Sequence, residues 1–178
     1  MVMIGGNSRN SGKTTIACMI ISKLSASQEV IGLKVTSIRP GEDEMHGNHN
    51  EEDSTGFSIY EELDPGSHKD TSKMLKAGAT HVYYIRATEV FIEKAILHFL
   101  ERYINNQFIV CESRSLRGII VPGLFLMMMR IPEGKTVKES TSYLLKADQV
   151  FYFVDDQTEK IEFVANLHFA NGKFIWNK

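Results

Sequence analysis

The stretch Asn7-Ser8-Arg9-Asn10-Ser11-Gly12-Lys13-Thr14-Thr15 carries the residue types that hold phosphate. A turn written G-x-x-x-x-G-K-[ST] between a strand and a helix binds phosphate for physical reasons. Its backbone N–H groups converge on the anion, and the helix start adds partial positive charge. On this reading Asn7 to Thr15 wrap the phosphates, and Lys13 reaches the β- and γ-phosphates of a nucleotide. The Thr14 hydroxyl would ligate Mg²⁺. Counting back from Gly12, the position of the first motif glycine holds Asn7, with Gly6 one residue too early. Asn tolerates a positive φ, so the loop survives the exchange. The alternative is an altered loop with poorer phosphate affinity.

Three further groups could work beside such a loop. Phe108-Ile109-Val110-Cys111-Glu112 is an apolar strand ending in a carboxylate. In open α/β sheets ligands bind at that edge, so Glu112 is placed to organise Mg²⁺, directly or through a bound water. A plain surface glutamate is the simpler alternative. Arg114 and Arg117 leave the same edge and could bind an anionic substrate or partner, or be solvated surface. Asp64-Pro65-Gly66 predicts a turn into a helix carrying Met74, Leu75 and Ala77 and stopping at Gly78. Asp70 either faces the γ-phosphate, orienting water or a metal, or caps that helix through its side chain.

The elements that must position these residues alternate along the chain. Strands are predicted at Met1–Ile4, Val30–Val35, Val82–Ile85, Phe108–Cys111, Leu124–Met129 and Val150–Val154. Helical patterns cover Gly12–Leu24, Thr88–Ile104 with Thr88 as N-cap, and Glu139–Ala147. Short β-like pieces at Ile161–Val164 and Lys173–Trp176 suggest an edge hairpin within about 160–178. This rhythm predicts an α/β fold with a mainly parallel sheet.

At 178 residues the chain has the size of one domain, and 43% apolar with 24% charged residues excludes wholesale disorder. A net charge of -2 gives no pull toward nucleic acid or an anionic membrane, and no apolar run is long enough to span a bilayer. The start of the chain has no basic region or cleavage site, which predicts a cytoplasmic protein. Cys18 and Cys111 lack metal or disulfide spacing and read as buried small hydrophobes. Met127-Met128-Met129 reads as strand core, as do Phe91, Phe99 and Tyr103 on their helix. His68 and His81 have no nameable partner, and Trp176 covers a sheet edge or a dimer contact.

One segment breaks the pattern. Glu42–Asp53, inside an acidic loop at about 38–56, holds six carboxylates and two histidines; without them the rest of the chain is basic. It reads as a solvated loop, with Asp43, His46, His49 and Asp53 as an alternative divalent-metal set.

Taken in order, these motifs resemble the molybdopterin-guanine dinucleotide biosynthesis protein B (MobB) family of P-loop GTP-binding proteins. That family's G-Y-K-N-S-G-K-T-T loop is similar to residues 7–15, with Arg9 in the basic position. Its Lys-His pair after the second strand is met by Lys34-Val35, keeping only the lysine. Its D-x-P-G-K-D-S segment and A-G-A turn resemble Asp64–Thr71, with one inserted residue, and Ala77-Gly78-Ala79. Its strand ending in Glu-Gly matches Phe108–Glu112, with Ser113 for the glycine, and its late acidic strand end resembles Val150–Asp155.

The resemblance implies one P-loop NTPase domain over residues 1–178, a mainly parallel sheet with helices on both faces, and GTP binding with Mg²⁺. It further implies slow hydrolysis, a homodimer, and partnership with the molybdopterin guanylyltransferase or another molybdoenzyme assembly protein. Lys13 and Asp70 would then be catalytic, Thr14 and Glu112 would hold the metal, and Lys34 would join Arg114 and Arg117 as an anion contact. The guanine-reading Asn/Thr-Lys-x-Asp strand end is not matched by Phe153-Val154-Asp155-Asp156, so ATP stays open beside GTP. Two other readings stand beside this one. A small-molecule kinase would need a lid arginine, with only Arg9, Arg39, Arg114 and Arg117 available. A degenerate, non-hydrolysing scaffold would use the loop as an anion site alone.

Overall fold

Side chains alternate between the two faces of a strand, so every second residue must suit the same neighbours. In β1 (Val2–Gly6) Val2 and Ile4 face one apolar cluster while Met3 faces another. Both faces of the sheet are therefore covered, and its strands read as continuous apolar runs. The computed structural model describes residues 1–38, 56–105, 107–130, 141–153 and 157–176. The acidic loop, including Asp43, His46, His49 and Asp53, lies outside the described residues, as do Arg39, Asp155 and Asp156.

The chain runs β1, α1 (Lys13–Leu24), β2 (Val30–Ile38), β3 (Phe57–Glu61), α2 (Asp70–Lys76) and β4 (His81–Thr88). It continues through α3 (Ile92–Tyr103), β5 (Phe108–Glu112), a 3₁₀ turn (Ser115–Gly118), β6 (Leu124–Met129) and α4 (Thr141–Leu144). It ends with β7 (Gln149–Tyr152), α5 (Thr158–Asn166), β8 (His168–Ala170) and β9 (Lys173–Ile175). Seven strands form one sheet in the order β3-β4-β2-β5-β1-β6-β7, all parallel except β3, which pairs antiparallel with β4 at the edge. This is an α/β fold with a mainly parallel sheet. No helix among the described residues is long and apolar enough to cross a membrane.

The face that carries α1, α2 and α5 positions the site. Helix α1 buries Ile16, Ala17, Ile20, Ile21 and Leu24, a stripe at helical spacing, against Val2, Ile4, Val30, Val110, Leu124 and Leu126. Full burial of each Ile or Leu side chain is worth about 2 kcal/mol. The opposite face packs α3, through Ile92, Ala95, Ile96 and Phe99, on Met3, Leu33, Ile85 and Met127. Met127, Met128 and Met129 are all buried strand core.

Several expectations need correction. The helix expected from Thr88 starts at Ile92: β4 stays paired through Thr88, opposite Ile38, and the chain turns over Glu89–Phe91 before coiling. Ile161–Val164 is not a strand but part of α5, whose buried Lys160, Phe163 and Val164 fall at helical spacing. The expected pairing of Ile161–Val164 with Lys173–Trp176 is therefore absent; β9 pairs instead with β8 in a separate two-stranded sheet. Of Glu139–Ala147, only Thr141–Leu144 is helical among the described residues. Strand β3 was missed, since its Ser, Tyr and Glu content and half-exposed edge position give a weak apolar alternation. Cys111 is buried as expected, whereas Cys18 is only half-buried. Trp176 packs beside Phe163 in the α1-side cluster, and His81 pairs with Glu61 at 2.7 Å.

Candidate functional site

On the α1 face, β2, β4 and β5 change from apolar to polar at the same height, while β1 and β6 stay apolar. Strand β2 offers Val30, Gly32, Lys34 and Thr36 in alternation; β4 offers Val82, Tyr84 and Arg86; β5 offers Val110 and then Glu112. Register sets Lys34 beside both Tyr84 and Glu112. This polar row lies at the carboxyl edge of the sheet, where helix starts and strand ends converge on ligands. A cleft of about 650 Å³ opens there, bounded by Arg9 to Thr15, Lys34, Asp70, Lys73, Tyr84, Glu112, Arg130 and Phe153.

The β1–α1 loop forms one wall. Asn10 at φ 55° and Gly12 at φ 89° are both left-handed, and left-handed residues in such a turn can aim N–H groups at an anion. Helix α1 is capped by Gly12, with no side-chain cap and no acid in its first turn. Its first amides are therefore donors without a side-chain acceptor at the cap. Lys13 folds back over the loop, donating to the Ser8 carbonyl at 2.8 Å and the Ser11 hydroxyl at 3.3 Å. Burial pulls the Lys13 ammonium below its ordinary pKa; Glu112 opposes this and Lys34 adds to it. A bound phosphate would relieve that penalty.

The structure assigns the loop's missing glycine differently from the motif count. Asn7 does not take a positive φ. Instead its amide pairs with the backbone of Arg130 in both directions: Nδ2 donates to the Arg130 carbonyl at 2.7 Å, and Oδ1 accepts from the Arg130 N–H at 2.9 Å. Asn7 thus staples the loop to the end of β6. The steric need for glycine falls on Gly6, where a Cβ would lie 2.5 Å from Ser11 Oγ and 2.9 Å from Lys13 Cδ. Gly6→Ala should therefore shift Lys13 and, where the loop holds a phosphate, weaken that binding at least about tenfold, whereas Asn7→Ala should lower stability by about 1–2 kcal/mol. Fluorescent-nucleotide titration and urea unfolding check the pair of expectations.

Opposite the loop, Thr14 Oγ1 donates to Glu112 Oε2 at 2.7 Å. Strand neighbours β1 and β5 make this contact between residues nearly a hundred positions apart. Glu112 is buried, and its other oxygen lies 4.0 Å from Lys34 Nζ. Lys34 in turn donates to Asp70 Oδ2, while Lys73 donates to Asp70 Oδ1 at 3.2 Å. Burial alone would lower the Lys34 pKa, but the charges of Glu112 and Asp70 and the Asp70 hydrogen bond raise it above its ordinary value. Burial alone would raise the Asp70 pKa, but Lys34 and Lys73 together hold it below its ordinary value.

Asp70 is thus the first residue of α2 and not its cap, which is Lys69, and no side-chain cap bond forms there. A carboxylate with a depressed pKa adds stability above its unfolded value, and loses that contribution as pH falls through the lower folded value. Asp70→Asn should therefore lower the urea midpoint at neutral pH, with the gap to wild type closing below the ordinary value of 3.8. Urea midpoints of both proteins across the acid range check this.

The structure brings Lys13, Thr14, Lys34, Asp70 and Glu112 together, with Arg9, Asn10, Ser11, Gly12 and Thr15 along the same cleft. Ser8 contributes its carbonyl to Lys13, and Asn7 acts through Arg130. Arg114 stands next to the row, its guanidinium 5.7 Å from the Tyr143 ring centroid. Arg117 does not join: it lies over Phe125, in the opposite-face cluster, 5.6 Å from the ring centroid. Sequence reasoning missed Thr36, Lys73, Tyr84, Arg130 and Phe153. Alternation from Lys34 could have found Thr36, but Tyr84 needs the β2–β4 register and Arg130 needs the Asn7 staple.

A divalent cation held beside nucleotide phosphates keeps most of its waters and needs only one or two protein oxygens. The Thr14 hydroxyl and Glu112 carboxylate suit that role. Among the described residues no group of three His, Cys, Asp or Glu side chains could hold a metal by itself. No family model matches this chain, and neither a curated protein nor a solved structure matches it.

Proposed function

We propose that this chain is a P-loop protein that binds a purine nucleoside triphosphate, GTP in the first place, with Mg²⁺ and hydrolyses it slowly. The observation that carries the reading is the Thr14–Glu112 hydrogen bond at 2.7 Å, set beside Lys13 on the left-handed β1–α1 loop. It pairs a hydroxyl and a carboxylate suited to Mg²⁺ at the place where a phosphate chain would meet the loop amides. When bound, Mg²⁺ would neutralise charge on the phosphates. Thr14 and Glu112 would hold it, and Lys13 would swing from the Ser8 carbonyl to the terminal phosphates.

Lys34, Lys73 and Asp70 line the end of the cleft beyond Glu112. There Asp70 can accept a hydrogen bond from an attacking water and so orient it. Both of its oxygens are already engaged by lysines and its basicity is depressed, which supports slow turnover. Beside Gly12 the Phe153 ring, with the Arg130 guanidinium 5.1 Å from its centroid, offers a flat surface for a purine.

GTP over ATP, a homodimeric state and an accessory role beside the molybdopterin guanylyltransferase rest on the sequence resemblance. A phosphate-release assay with GTP and ATP tests the reading. Mg²⁺-dependent release from GTP well below about 1 s⁻¹ is expected, slower than an ordinary enzyme. Release that ignores chelation of Mg²⁺ would contradict it.

A further inference from the structure

Behind the Lys34–Glu112 row lies a second compartment of about 570 Å³, opening toward the layer of α3 and α4. It shares Lys13, Lys34, Thr36 and Glu112 with the first cleft, so the two are neighbours across one wall. Its other polar walls come from Ser37 at the end of β2 and from Arg114 and Ser115 after β5. The Ser37 hydroxyl is buried without a hydrogen-bond partner among the described residues. Leaving such a group unsatisfied is unfavourable, which points to a ligand or water that completes it.

Arg114 is oriented rather than neutralised. Its guanidinium lies against the Tyr143 ring, and no carboxylate among the described residues forms an ion pair with it. A planar fork fixed by an aromatic face is suited to bidentate binding of carboxylate or phosphate. Glu89 and Glu112 also line the compartment. Lys13 and Lys34 line it as well, so its walls carry both signs of charge, and a molecule with hydroxyl donors beside its anionic group is matched to them.

We propose that this compartment binds a second small molecule, a hydroxylated carboxylate or phosphate ester, with its anionic group on Arg114 and its donors toward Glu112. Ser37 and Ser115 complete its hydrogen bonds. The placement of this ligand next to the nucleotide's terminal phosphate rests on the nucleotide reading above. Its binding to the Arg114 wall does not.

Amide correlation NMR spectra of the full chain, titrated with glycerol phosphate and with malate, test this. Each titration is run without nucleotide and with saturating GDP and Mg²⁺. The expected result is movement of the Ser37, Ser115 and Tyr143 amides with at least one probe, persisting when nucleotide is present. Arg114→Met should weaken that probe at least about tenfold, the loss of one charge-assisted hydrogen bond. Ser115→Ala should weaken it less, giving a milder second variant. Shifts confined to Asn10–Lys13, probe displacement by GDP, no shift with either probe, or an unchanged Arg114→Met affinity would each overturn the proposal. Failure of GDP to move the Asn10–Lys13 amides would count against the nucleotide reading alone, because the nucleotide-free titrations still decide this site.

Discussion

Lys13→Ala should weaken nucleoside triphosphate binding by at least about a hundredfold, the scale of two charge-assisted hydrogen bonds removed together. Its Nζ folds across the β1–α1 loop, held by the Ser8 carbonyl and Ser11 hydroxyl. Those are neutral acceptors, so little is lost when the ammonium leaves them for phosphate oxygens. Burial also keeps it poorly solvated before binding, as its lowered pKa reflects. Stability should change little, because alanine removes a half-buried charge that carries a desolvation penalty. Nucleotide titration and urea unfolding on the same sample separate these effects: lost affinity with a retained unfolding midpoint is the expected pattern. Equal affinity in wild type and variant would mean that phosphates do not sit on this loop.

Glu112→Gln should have a different signature. The amide keeps the shape and can still accept from Thr14, but it removes the charge that would hold Mg²⁺. Turnover with Mg²⁺ should fall by about a hundredfold, comparable to loss of a metal-supporting group. Binding without Mg²⁺ should be equal or tighter, since a buried carboxylate no longer faces the phosphates. Lys34 would also lose one of its two acidic neighbours, leaving Asp70 alone. Turnover and chelator-treated affinity, measured side by side, distinguish this pattern from that of Lys13→Ala. A variant that keeps full Mg²⁺-dependent turnover would remove Glu112 from the metal site.

The sequence made the α/β alternation legible because most sheet strands here are buried on both faces and bounded by turns. Leu124–Met129 and Phe108–Glu112 were readable to the residue or nearly so. Edges and junctions were less legible. Strand β3 is a half-exposed edge, and Thr88 satisfies the local signal for a helix cap while its backbone is already committed to β4. The motif count pointed to Lys13 and Thr14, which line the cleft, but misread the backbone at Asn7, because it compares positions and not approach distances. Only the geometry shows Gly6 against Ser11 and the Asn7 amide on Arg130. Arg114 and Arg117 were indistinguishable by spacing; the 3₁₀ turn that Arg114 precedes and Arg117 belongs to leaves one at Tyr143 and the other over Phe125.

Calorimetric titration of GTP into the wild-type protein, with Mg²⁺ and again with a chelator, tests the central claim most directly. The account predicts saturable binding of one nucleotide per chain, with affinity falling at least about tenfold when Mg²⁺ is withdrawn. Absence of binding by both GTP and ATP in the presence of Mg²⁺ would contradict it.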